Sequence, residues 1–140
     1  MIRVVLDTHV VVSAALNDEG LPAAILDLAT NRKVVMLISS HVLAEYEQVL
    51  RYPHLKLEPT HIRAFLSDIQ KACERVTPHR ALAISRDDSD NRFYECADAG
   101  KADFLITGNT RHFPVHHKGT KIVTPREFIE QTGLLFTKDG

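Results

Sequence analysis

The chain has 140 residues, with 44% hydrophobic and 25% charged residues and a formal net charge of −1. That length suits one domain with a real core, expected to span residues 1–140, and no apolar run approaches the roughly 20 residues that cross a bilayer. The near-neutral charge excludes a bulk polycation, so any nucleic-acid binding must come from a local basic rim.

The first apolar run, Val4 to Leu6, reads as a buried parallel strand. A strand that starts at once leaves no signal peptide, so a cytoplasmic site is expected. Val10 to Leu16 and Leu21 to Asn31 read as helices, broken by Asn17-Asp18-Glu19-Gly20, with Pro22 in the first turn of the second. The Leu21, Ile25 and Leu28 face suits either a subunit contact or the core. Val34 to Ile38 is the second strand. Ser39 or Ser40 then caps a helix through Arg51, which Pro53 ends.

Thr60 to Val76 carries Ile62, Phe65, Leu66, Ile69, Ala72 and Cys73 at the spacings of one apolar helical face. Thr77 to Ile84 is ambiguous and admits a short strand. Asp90 opens a helix to Ala99, with Gly100 as its end. Asp103 to Thr107 and Lys121 to Thr124 are strands, Pro125 to Gln131 a closing helix, and residues 133–140 a tail. Cys73 and Cys96 read as buried thiols, and His116-His117 as exposed loop. Alternating strands and helices predict an α/β fold, a parallel sheet covered on both faces.

Three carboxylates are the candidates for chemistry. Sites in an open parallel sheet form at the carboxyl ends of its strands. Asp7 stands at that end of the first strand, where it also suits a helix cap. Glu45 and Glu47 lie at opposite borders of an apolar helical face, and periodicity alone does not choose between them. Asp90 projects inward from a helix start, where Ser89, Asp90 or Asn91 can serve as cap. Asp87 and Asp88 read as loop charges, with Asp87 within reach of a supporting position. Converging carboxylates repel unless a cation is present, which points to a divalent metal. Asp103 begins its strand, far from the carboxyl edge; Asn109, beyond Thr107-Gly108, is the fourth polar group expected near the acids.

The segments Leu6-Asp7-Thr8, Ser40 to Leu50 with Glu45, Asp87-Asp88-Ser89-Asp90-Asn91 with Ala97, and Ala102 to Asn109 resemble, in this order, the PIN-domain ribonucleases. More narrowly, the chain resembles the toxins of VapC-type toxin–antitoxin pairs. That resemblance implies a three-layer α/β/α sandwich with about five parallel strands. It implies a magnesium- or manganese-dependent endoribonuclease, a homodimer, and a small antitoxin partner that enters the active-site groove. Carried over by motif, the acids are Asp7, Glu45 and Asp90, and the match favours Glu45 over Glu47. His9 and Asn109 depart from the family pattern; Asn109 replaces a fourth acid and weakens the case for a second metal.

The mechanism expected is attack by water, leaving a 5′-phosphate and a 3′-hydroxyl. Asp7, Asp90 and Glu45 hold the metal, and Thr8, Asp87, Asn91 and Thr107 support the acids or face the phosphate. Arg86, Arg111 and His112 are candidates for the RNA backbone. Two rivals stand beside this: a PIN-fold protein that acts through a partner with little cleavage, and another metal phosphoesterase.

Overall fold

The computed structural model describes residues 1–135. The strands are β1 (Arg3–Leu6), β2 (Val35–Ile38), β3 (Glu74–Arg75), β4 (Phe104–Ile106) and β5 (Lys121–Val123). The helices are α1 (Thr8–Leu16), α2 (Leu21–Thr30), α3 (Ser40–Leu50), α4 (Pro59–Ala72), α5 (Asp88–Gly100) and α6 (Pro125–Thr132). All strand pairs are parallel, in the order β3-β2-β1-β4-β5, and the helices complete a three-layer α/β/α sandwich. β1 is therefore central, and Val4, Val5 and Leu6 are each at most 1% exposed. Its full burial on both faces explains the unbroken apolar run. Ile25 and Leu28 are buried, so the α2 face belongs to the core.

Most expected elements form within a residue or two, and the exceptions have clear causes. The helix expected to reach Val76 stops at Ala72, and Glu74–Arg75 forms the edge strand beside β2. Edge pairing with β2 prevails there over helical continuation. Thr77 to Ile84 is irregular chain. Its backbone is fixed by side chains of α5: Glu95 accepts from the Leu82 amide at 2.9 Å, and Asn91 from the Ile84 and Ser85 amides at 3.0 and 2.7 Å.

α5 starts at Asp88, not Asp90, because Asp87 is its cap; Asp87 accepts from the Ser89 amide at 3.0 Å and the Ser89 hydroxyl at 2.7 Å. At the far end Gly100 is still helical and Lys101 takes the left-handed position, φ 54°. Glycine is required at 100 for space instead. A Cβ there would lie 2.5 Å from Leu37 Cδ1, and Leu37 is fully buried.

His116 is exposed loop as expected, and His117 is only partly exposed, but both have partners. His116 Nδ1 accepts from the Ile122 amide at 3.0 Å, and His117 Nε2 lies 3.0 Å from Asp98. Asp98 also holds Arg80 at 3.1 Å and Lys118 at 3.2 Å, and these cations keep its carboxyl well below the usual range. This cluster fastens the 77–87 loop and the turn before β5 onto α5. Leu134 and Leu135 pack against the core after Gly133 ends α6, so the tail reading fails for them. Residues 136–140 of that expected tail lie outside the described residues. Cys73 and Cys96 are free thiols, pushed up to about 12 by burial. Among the described residues no helix is long and apolar enough to cross a membrane.

Overpacking a close helix–sheet contact costs about 1–3 kcal/mol. Gly100→Ala is therefore expected to lower stability by that amount in denaturant unfolding, and Leu37→Ala in the same chain is expected to recover part of it. Equal stability of Gly100→Ala and wild type would contradict the contact.

Candidate active site at the carboxyl edge of the sheet

The central strand ends in an acid whose position is set by the next helix. Asp7 caps α1, with Oδ1 accepting from the Val10 amide at 3.0 Å. Its own amide donates to the Ile106 carbonyl at 3.0 Å, so Asp7 is locked level with the end of β4. Oδ2 accepts from the Thr107 hydroxyl, on the residue after β4. Asp7 is thus a helix cap as well as a candidate site acid, and it is only 4% exposed. Burial pushes its carboxyl above the ordinary range, against the hydrogen bonds from Thr107 and Val10.

Glu45 comes from α3. It is half-buried and accepts from the Thr8 hydroxyl at the start of α1. Glu47 is exposed and pairs with Arg51 at 3.4 Å on the outer face. The structure thus separates the two glutamates that periodicity could not. Next to Glu45, Tyr46 is fully buried, and its hydroxyl donates to the Leu6 carbonyl. That bond ties α3 to the last residue of β1, one position before Asp7. The apolar pattern concealed it, because a tyrosine in a helical stripe reads as core.

Asp90 comes from the first turn of α5 and is 9% exposed. Burial pushes its carboxyl up to about 6, and the negative charges of Asp87, Glu45 and Asp7 add to the rise; His112 opposes it. His112 Nδ1 lies 3.7 Å from Asp90 Oδ2. Three acids distant in sequence therefore share one electrostatic environment. Among the described residues, no three His, Cys, Asp or Glu side chains stand close enough together to hold a metal ion.

The remaining expected residues divide. Thr8 and Thr107 each donate to one of the acids. Asp87 is exposed, and its effect on the site is the repulsion it exerts on Asp90. Asn91 is 3% exposed, with its amide group bonded to the 84–85 backbone, so it positions the loop before α5. Asn109 is exposed, and its side-chain oxygen accepts from the Arg111 amide at 3.1 Å, capping the short turn Thr110–His112. Its side-chain oxygen serves that turn. Its backbone amide donates to Thr107 Oγ1 at 3.1 Å, one step from Asp7. Arg86 and Arg111 are exposed near this edge. Asp103 sits at the opposite edge, where Oδ2 accepts from the Arg3 amide at 2.8 Å.

The three-layer parallel sandwich with acids gathered at the carboxyl edge defines a class, and comparison with known proteins places the chain within it. A PIN domain family profile matches residues 3–111, and the chain belongs to the PIN domain family. It is 30% identical over 142 residues to the uncharacterised protein MJ1680 of Methanocaldococcus jannaschii, across 93% of this chain and 91% of that one. Its fold is similar to a chain in the crystal structure of VapBC2 from Rickettsia felis bound to a DNA fragment from their promoter. The TM-score there is 0.57 with 19% identity, covering 86% of this chain and 98% of the other.

A carboxyl raised in the folded state stabilises the fold when protonated, and that contribution disappears as pH rises through the raised value. Metal-free protein is therefore expected to lose thermal stability between about pH 4 and pH 6. Asp90→Asn is expected to flatten that loss. Melting curves in EDTA across this range check it, and parallel profiles for the two proteins would refute the shared burial of charge. Tyr46→Phe removes one buried hydrogen bond and is expected to cost about 1 kcal/mol in denaturant unfolding. An unchanged midpoint would show that the Leu6 carbonyl does not need this donor.

Proposed function

We propose that this chain is a metal-dependent endoribonuclease and the toxin of a toxin–antitoxin pair. One observation carries the reading: three carboxylates from three separate segments stand at one sheet edge, near enough that Glu45 and Asp7 act on the charge of Asp90, which burial and its acidic neighbours push up to about 6. PIN domains are generally nucleases, which supports the reading at the level of the family.

As they stand, the acids do not close into a metal-holding group among the described residues, and it is the chemistry of the donors that suits a hard cation. The donor set consists of carboxylate oxygens without clustered cysteine or histidine, the chemistry of Mg²⁺ or Mn²⁺. Asp7 and Asp90 would hold the ion, with Glu45 directly or through water. The Thr8 and Thr107 hydroxyls engage one oxygen each of Glu45 and Asp7, and each such oxygen retains a further lone pair. When bound, the cation would supply a more acidic water and neutralise charge on the phosphate.

The chain's own groups do the rest. Glu45, oriented by Thr8, is the acid that orients the attacking water and accepts its proton. The water oxygen bonds to phosphorus, the bond from phosphorus to O3′ breaks, and O3′ takes up a proton. The products are a 5′-phosphate and a 3′-hydroxyl. Thr107 and the Val10 amide hold Asp7 still through this exchange. Arg86, Arg111 and His112 hold the strand by its backbone. The family resemblance supports RNA as the substrate, a small antitoxin that enters the groove and a homodimeric, cytoplasmic protein. The fold likeness to the VapBC2 chain is consistent with that setting.

The direct test is cleavage of mixed-sequence single-stranded RNA with Mg²⁺, Mn²⁺ or EDTA. Wild type is expected to cut only with metal, and a folded Asp7→Asn variant is expected to lose at least about 100-fold in rate, the scale of removing a group essential to the charged transition state. Metal-independent cutting, or full activity in Asp7→Asn, would end the nuclease reading as drawn. No cutting by wild type with metal binding intact would favour the second reading, a PIN-fold binding protein; the exposed amide Asn109 where the family has an acid favours it.

A further inference from the structure

A second basic region lies on the opposite flank of the acids from Arg111 and His112. A groove of about 410 Å³ opens between the start of α3, the irregular chain after β3 and the outer side of α5. His41, Pro78, His79, Arg80 and Arg92 line it, together with the acid Glu95. Arg75 reaches its rim, donating to the Ser40 hydroxyl at 3.2 Å.

The sheet register fixes this groove relative to the acids. Arg75 pairs with Ile38, and continuing the Val4–Met36 register by two residues sets Ile38 level with Leu6. Arg75 therefore stands at the same edge as Asp7, two strands away, or about 10 Å at ordinary strand spacing. His41 and Glu45 lie four residues apart on α3, so they are neighbours on one side of that helix.

The charges there are unevenly committed. Arg80 is paired with Asp98, and Arg92 with Asp88 and Glu95. Glu95 is further committed to the Leu82 amide. Among the described residues, Arg75, His41 and His79 have no acidic partner, and all three are exposed. Arg92 Nε is buried without a hydrogen-bond partner, an N–H left over in the groove wall. The amino end of α3 adds its partial positive charge.

We propose that this groove binds backbone phosphates of a single nucleic-acid strand, so that the substrate crosses the acids from the Arg111–His112 flank to the Arg75–His79 flank. The inference rests on the nuclease reading and extends it by assigning a path to the strand. Acids in the middle repel a phosphodiester unless cations flank them, and a basic group on each side orients the strand across the edge without reading its bases.

The test is RNA binding by the non-cleaving Asp7→Asn protein, read by fluorescence anisotropy of a labelled mixed-sequence single strand over a range of KCl. Adding Arg75→Glu is expected to weaken binding about tenfold or more at low salt and to reduce the salt slope by about 1. If Arg75→Glu shifts the melting curve, the milder pair Arg75→Ala with His79→Ala is expected to show the same two effects, smaller in size. Equal affinity and slope with and without these changes, while wild type still cuts RNA with metal, would overturn the groove and leave the nuclease reading standing. No RNA binding even by the Asp7→Asn parent, with no cutting by wild type, would overturn both. Weakened binding at an unchanged salt slope would also count against the groove, because loss of a phosphate contact must release fewer counterions.

Discussion

The Asp7 carboxylate sits 4% exposed at the end of the central strand, and the hydrogen-bond donors around it offset part of the cost of placing a charge there. A buried carboxylate without partners would protonate or destabilise the fold. Here the first turn of α1 supplies the Val10 amide, and the residue after β4 supplies the Thr107 hydroxyl. Those donors come from both sides of β1 in the chain's topology, so the acid cannot be held unless β1, α1 and β4 are all in place. Tyr46 extends the dependence to α3 by bonding the Leu6 carbonyl. The acid, the central strand and three neighbouring elements form one interlocked unit, and the stability of the site is inseparable from that of the sheet.

A parallel sheet is what lets the other acids join it. Every strand delivers its carboxyl end to the same edge, and each following helix starts there. An acid just after a strand, or in the first turns of a helix, is thereby brought to that edge whatever its distance along the chain. Asp7, Glu45 and Asp90 occupy such positions on three different crossovers. Asp103 illustrates the converse: as the residue before β4 it reaches the opposite edge and bonds the Arg3 amide. The same rule brings Arg75 to the site's edge, because β3 pairs with β2 in parallel register.

Much of this was legible in the residues. Continuous apolar runs bounded by turn signals marked β1, β2 and β4, and the strand–helix alternation specified a parallel sandwich. What the sequence concealed was decided by tertiary contacts. Glu74–Arg75 carries no strand signature, since an exposed edge strand needs no apolar residues. Its helix-like context was overruled by hydrogen bonds to β2. Gly100 resembled a helix terminator, yet it is kept small by Leu37 across the helix–sheet contact, while Lys101 takes the left-handed turn. Asn91 and Asn109 looked like site polar groups from spacing alone. The side-chain oxygen of each accepts from nearby backbone, as short polar side chains at helix starts readily do. Spacing pointed to Asp7 and Asp90 as candidates because a charge on an inward face must be met by a donor or a cation, whereas Glu45 was separated from Glu47 only by the family resemblance. Spacing did not assign the amides, which can be satisfied in many ways.

Asp90 explains why the flanks of this site matter as much as its centre. Its carboxyl is raised first by burial and then by Asp87, Glu45 and Asp7, and among the groups acting on it only His112 opposes the rise. A site of this kind repels the very phosphates it would act on. Attraction would then come from basic side chains close enough to steer a strand, yet not so close that they neutralise the acids. His112, 3.7 Å from Asp90 and 47% exposed in its side chain, stands at the near limit of that range. Arg75, His41 and His79, without acidic partners, stand farther out on the other side. Strand spacing sets the separation of Arg75 from the acids and helix pitch that of His41, while His79 stands on the irregular chain after β3. The spacing between the acids and Arg75 is thus a property of the sheet itself, and a strand bound at both flanks would be drawn over the acids between them.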